Sequence, residues 1–250
     1  MDSGQYYGHP PINGWGQCTK TVIGIIMNEM INGKIDNKNI GLVKNLWQFR
    51  QELDVYCLIT TNADAISGKG AGKIFFGFLQ ASCIRLVALD ICKIFEDEKR
   101  GKRGKVKYEL NSIDGVLRSL ADGKPPVLDS AKVSSFVCKY SNGRGEDGTL
   151  SALSLTVEDF KTKYQKELKR FKTFRDKSGA HSEFGFDPRD LPSYDIMEQL
   201  FDFGWEFYSV ISEAFISVGP CNLESSRQVK GSLKRVLCEL GLGDIKTEMK

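Results

Sequence analysis

Histidine is nearly absent from this chain: two occur in 250 residues, against 35 lysines and arginines and 32 acidic residues. His9 lies in a Gly/Pro-rich leader, so an imidazole proton shuttle working near neutral pH falls to His181. There is no Cys-x-x-Cys among the seven cysteines, Cys18, Cys57, Cys83, Cys92, Cys138, Cys221 and Cys238. Their odd number and scattered spacing argue against a zinc site or a disulfide framework, and for thiols kept reduced in a cytoplasmic interior. A Rossmann fingerprint, a Ser nucleophile elbow and internal repeats are all missing. The segment from Gly68 through Gly72-Lys73-Ile74 comes nearest to a phosphate loop. It lacks the four-residue gap between glycines and the Ser/Thr after lysine, and no clear strand precedes it. The opening Met-Asp-Ser-Gly-Gln has no basic-then-apolar signal pattern. The most apolar run, 74–95, is interrupted by Gln80, Arg85, Asp90 and Lys93, so it reads as a buried helix and no membrane is expected as partner.

What is present is an average apolar content of 41% with 27% charged residues, enough for one large domain or a domain with appendages. The net charge of +3 is only weakly basic, but the positive charge is clustered, and its distribution says more than its sum. Residues 1–38 read as an N-terminal arm without periodicity, in which 21–31 is apolar and fits a short helix or a strand equally. Helical spacing begins at 39–60, with Leu42, Leu46, Phe49, Leu53 and Tyr56 three or four apart. A second helix is expected over 72–97, apolar around most of its circumference and therefore central. The stretch 99–107 carries six positive charges and two glycines, and reads as a solvated loop. Ser112 caps a short helix that buries Ile113, Val116, Leu117 and Leu120.

Residues 121–153 contain Pro125-Pro126 and Asn142-Gly143-Arg144-Gly145, and read as a long insertion between helices, with 133–140 open to strand or helix. Thr156 is expected to open the next long helix, with Asp159 completing a near capping box. Its apolar stripe is Phe160, Tyr164, Leu168, Phe171 and Phe174, and Gly179 and Pro188 mark its end. A last long helix follows Ser193 to about residue 217, rich in Phe and Tyr. The tail 218–250 holds one weak amphipathic helix at 229–240. The sum is an all-α protein with one helical domain over 39–217.

Chemistry concentrates at Arg175-Asp176-Lys177-Ser178-Gly179-Ala180-His181. The planar guanidinium of Arg175 suits a phosphate, and His181 suits a proton, a pair sufficient to cut RNA without a metal or other cofactor. On an unbroken helix six residues turn through about 600°, leaving the two side chains roughly 120° apart. Either the helix loosens at or just before Gly179, or each residue meets its partner from a second copy. Between Glu158 and Lys177 there are eight Lys/Arg and four Asp/Glu. Lys169, Arg170, Lys172 and Lys177 are accordingly candidate RNA contacts, set against the plainer reading of a lysine-rich solvated face.

The pattern Arg-Asp-Lys-x-x-Ala-His resembles the Arg-x(4–6)-His motif of the HEPN family (higher eukaryotes and prokaryotes nucleotide-binding), and is especially similar to its AbiU-type abortive-infection branch. Leu86-Val-Ala-Leu-Asp-Ile-Cys-Lys-Ile-Phe-Glu-Asp, followed by Asn111-Ser-Ile-Asp-Gly-Val-Leu-Arg-Ser-Leu, resembles that branch's apolar helix with an acidic turn and its following short helix. The likeness covers roughly 40–215; Gly179 within the motif and the length of 121–153 depart from it. It implies an antiparallel helical bundle, a homodimer that brings two Arg/His pairs into one cleft, and a metal-independent endoribonuclease used as a toxin or in antiphage defence, with a neutralising antitoxin protein as a candidate partner. Carried over, Arg175 holds the scissile phosphate, His181 is general base or acid, and Asp176 orients either one. The alternative is a non-catalytic HEPN-like module that binds RNA, a nucleotide or a partner protein; a purely structural dimerisation domain is the third.

Overall fold

The computed structural model describes residues 41–68, 72–97, 111–141, 149–180 (backbone alone for 178–180), 191–216, 219–220, 228–242 and 245–246. The arm 1–38, the basic stretch 99–107, the turn 142–145, His181 and Pro188 lie outside the described residues. Every regular element among those described is helical, in keeping with the all-α expectation. The order is α1 (Leu42–Thr61), α2 (Ala63–Gly68), α3 (Lys73–Phe95), α4 (Ile113–Gly123), α5 (Ser130–Tyr140), α6 (Leu150–Lys163), α7 (Gln165–Phe174), α8 (Tyr194–Ile211) and α9 (Gln228–Glu239). Two π-helical turns prolong helices at their C-terminal ends: Arg175–Ala180 after α7 and Ser212–Ile216 after α8.

Helices α1 and α3 form the central pair. Gln80 Nε2 donates to Thr60 Oγ1 at 2.7 Å, the Glu52 and Asp90 carboxyls lie close enough to interact, and Leu46 and Ile94 both approach Gly204. Numbers rising along one helix meet numbers falling along the other, so the two are antiparallel. Arg50 with Glu198, Phe49 with Phe201, and Leu46 with Gly204 place α8 antiparallel to α1 by the same reasoning. The apolar stripe of α1 supplies Leu42, Leu46, Phe49 and Leu53, all buried. Helix α3 divides in two. Val87, Ala88, Ile91 and Ile94 are buried against its neighbours, whereas Ile74, Phe75 and Phe78 at the other end are exposed. Among the described helices only α3 is long and apolar enough to cross a bilayer; its buried C-terminal half is the feature of a core helix.

Local chemistry sets the boundaries. Ser112 caps α4 as expected, its hydroxyl accepting from Gly115 N at 3.2 Å. The helix expected to open at Thr156 opens at Leu150 instead, because Thr149 is the cap, accepting from Ala152 N at 3.2 Å. Thr156 sits inside that helix, with its hydroxyl turned back to donate to Ala152 O at 2.9 Å. The helix does not run unbroken to Gly179 either. Tyr164 (φ −100°, ψ 18°) separates α6 from α7, and its hydroxyl is drawn away to Gln199 on α8. For 133–140, where the pattern admits strand or helix, the structure shows helix. Within 121–153, α5 buries Val133, Phe136 and Val137 in the main core. In the tail, α9 docks on α1: Leu237 is buried, Lys230 Nζ lies 3.8 Å from Asp54 Oδ1, and Asn62 exchanges hydrogen bonds with the backbone of Lys246.

Phe203 is the hub of an aromatic cluster. It stacks on Phe160 with centroids 3.6 Å apart and an interplanar angle of 9°, and it also meets Phe95, Phe136 and Tyr140. Replacing it with Ala removes contacts to α3, α5 and α6 at once and leaves a cavity. Phe203→Ala is expected to cost about 3–5 kcal/mol of stability, measured by denaturant unfolding with the far-ultraviolet signal.

A second expectation concerns pH. Glu52 Oε2 and Asp90 Oδ2 are buried with no hydrogen-bond partner among the described residues. Burial first, and then the Asp90 carboxyl, push Glu52 up to about 9, with Lys93 opposing. Burial also raises Asp90, against the pull of Lys93, whose Nζ is 2.6 Å from Asp90 Oδ1. Between the ordinary value of 4.5 and about 9, the folded chain binds more protons than the unfolded one, so the stability tied to this pair is full below the lower value and is lost as pH rises through the upper one. Glu52→Gln keeps a donor and does not titrate. Its melting temperature, followed across that window, is expected to stay flatter than that of the wild type, with the gain over wild type greatest at the alkaline end.

Candidate functional site

Phe171 and Phe174 of α7 are both buried. Anchored by them, the helix turns Gln165, Leu168, Lys169 and Lys172 toward a common groove, the i, i+3, i+4, i+7 spacing of one helix face. After Phe174 the α-helix gives way to the π-helical turn Arg175–Ala180. The loosening expected at or just before Gly179 therefore begins earlier, at Arg175, and isolated π turns of this kind recur at functional sites.

Opposite α7 stands the C-terminal end of α3, contributing Ile91, Cys92 and Phe95, followed by Glu96 and Asp97. Glu96 is the first residue past the helix, with extended backbone (φ −70°, ψ 134°). Between the two walls lies a cleft of about 770 Å³. Four cations (Lys161, Lys169, Lys172, Arg175) and three carboxylates (Glu96, Asp97, Asp176) line it, over an apolar floor.

Arg175 sits at the junction of the walls. Its Nε donates to Asp176 Oδ1 at 2.9 Å and its Nη1 to Glu96 Oε2 at 3.4 Å. Partial burial works against the charge, but the Asp176 hydrogen bond and the neighbouring carboxylates outweigh it and hold the guanidinium charged above its ordinary range. Lys161 is engaged by Asp97. Lys169 and Lys172 are exposed and make no ion pair among the described residues. Cys92, on the floor, is pushed up to about 11, chiefly by burial, so it is a neutral thiol near pH 7 and no nucleophile.

Of the residues singled out from the sequence, Arg175, Asp176, Lys169 and Lys172 meet in this one cleft. Arg170 and Lys177 are exposed and are not part of its lining. His181 lies outside the described residues. The sequence pattern passed over Lys161, Glu96 and Asp97 as site residues. The apolar helix does end in consecutive acids, Glu96-Asp97-Glu98, but nothing along the chain says which cations they meet. The described cysteines, Cys57, Cys83, Cys92, Cys138 and Cys238, are all free thiols, and no group of three or more His, Cys, Asp or Glu able to hold a metal occurs among the described residues. Compared with family models, with curated proteins and with solved structures, the chain matches none.

Proposed function

We propose that this chain is a metal-independent endoribonuclease of the HEPN type, acting as a homodimer. The observation that carries the reading is Arg175 at the head of a lysine-bearing groove, on a π-helical turn that begins the Arg-x(5)-His sequence. A guanidinium so placed is a fixed donor for a phosphodiester. The charges of Lys169 and Lys172, on the same face and unpaired among the described residues, extend that attraction along a polyanion backbone.

In this reading the ribose 2′-oxygen attacks the adjacent phosphorus. The P–O2′ bond forms, the P–O5′ bond breaks, and the products carry a 2′,3′-cyclic phosphate and a free 5′-hydroxyl. Arg175 binds the non-bridging oxygens and stabilises the charge that accumulates on them. His181 takes the 2′-hydroxyl proton or supplies the proton to the leaving 5′-oxygen. Asp176, bonded to Arg175 Nε, fixes the orientation of the guanidinium. DNA lacks the attacking hydroxyl and is not cut. The family resemblance adds the biological setting of a toxin or antiphage effector in the cytoplasm, with an antitoxin to restrain it.

The test is RNA cleavage in the presence of EDTA. The wild type is expected to yield cyclic-phosphate ends, with activity lowered at least about a hundredfold in Arg175→Ala and His181→Ala. Equal cutting by all three proteins overturns the nuclease reading. Salt-sensitive RNA binding without turnover in the wild type replaces it with the binding-module reading.

A further inference from the structure

Resting on the reading of Arg175 as a phosphate ligand, we infer that Glu96 is a built-in competitor for that phosphate. Its carboxylate occupies Arg175 in the unliganded chain and must give way when RNA arrives. The two carboxylates on Arg175 differ in kind. Asp176 is the adjacent residue and travels with the arginine, at 2.9 Å. Glu96 comes from the opposite wall, at 3.4 Å, longer than the 2.7–2.9 Å typical of a charged hydrogen bond. It is partly exposed, with a third of its side-chain surface open to water, so solvent can take over the carboxylate once it is displaced. A contact this long and this wet is weak enough to break and negative enough to oppose an incoming anion.

The neighbouring pair repeats the arrangement. Asp97, from the same wall, engages Lys161 at the other side of the cleft. The α3 end thus presents two acids to two of the four cations, and Lys169 and Lys172 make no ion pair among the described residues. A backbone can be drawn in by the free lysines first and then exchange with Glu96 at Arg175. The carboxylate acts as a gate on occupancy: weakly held anions fail to displace it, and a polyanion that also engages Lys169 and Lys172 succeeds.

The experiment measures binding of a fluorescein-labelled 2′-O-methyl oligoribonucleotide by anisotropy. That probe lacks the attacking hydroxyl, so binding is read without turnover. Wild type, Glu96→Gln, Arg175→Ala and the double variant are compared at low and moderate salt, with circular dichroism confirming the helical content of each. Glu96→Gln is expected to bind about fivefold tighter than wild type, and the gain is expected to vanish in the Arg175→Ala background. Wild-type binding that depends on Arg175 but is unchanged or weakened by Glu96→Gln overturns the gate and leaves the proposed function standing. Glu96 would then merely orient the arginine. Binding that is the same with or without Arg175 overturns the proposed phosphate role, and the gate with it.

Discussion

The close approach of three helices at Gly204 is the constraint from which the site follows. A side chain at that position would begin 2.9 Å from a Leu46 methyl and 3.6 Å from Ile94, so a Cβ there would push the Leu46 methyl aside, and glycine lets α8 come this near to α1 and α3 without that shift. Ile94 is two residues before Glu96; fixing it fixes where α3 ends and where the acidic wall stands. The preceding residue on α8, Phe203, stacks on Phe160 of α6, and α6 leads through Tyr164 into the basic wall of α7. Tyr164 is tied to α8 as well, through Gln199. Both walls of the cleft are therefore referenced to one stretch of α8, and the distance between Glu96 and Arg175 is a property of the core, not of two surface loops.

How much of this the sequence disclosed depends on which interaction decides each feature. Helix existence follows from spacing of apolar residues, and the stripes of α1 and α7 lie where that spacing puts them. The start of α6 departs from the expected Thr156 because the cap is Thr149. The true cap is the one whose hydroxyl meets a free backbone N–H, and that depends on where the preceding chain runs. The break at Tyr164 is equally invisible in one dimension, since nothing in local propensity distinguishes that tyrosine from Phe160 or Phe171. What does distinguish it is a tertiary hydrogen bond to Gln199. The core role of α5 was obscured by flanking turn residues, which describe the ends of a segment and say nothing about what its middle packs against.

Within the site the same division holds. Arg175, Asp176, Lys169 and Lys172 could be read from the sequence because they are neighbours along one helix and its continuation. Glu96 and Asp97 could not be assigned, because their partners Arg175 and Lys161 are far along the chain and only the packed bundle brings them together. The buried Glu52 and Asp90 pair is a third case. Each acid alone looks like an ordinary polar position on a helix, and only the antiparallel pairing of α1 with α3 makes them face one another.

The electrostatic character of the cleft is a balance and not a surplus. A basic helix facing bulk water would collect any anion, and its charge would be screened at physiological salt. Here the α3 end returns negative charge to the same groove, so three carboxylates stand among the four cations that line it. Under the proposed phosphate role of Arg175, affinity for an isolated phosphate is held down, because its gain at Arg175 is set against the loss of Glu96. In the same proposal a chain of phosphates escapes that cancellation, since the further charges fall on Lys169 and Lys172, which make no ion pair among the described residues. Discrimination between small anions and a nucleic-acid backbone can thus arise from the placement of acids on one wall alone, without any contact to a base.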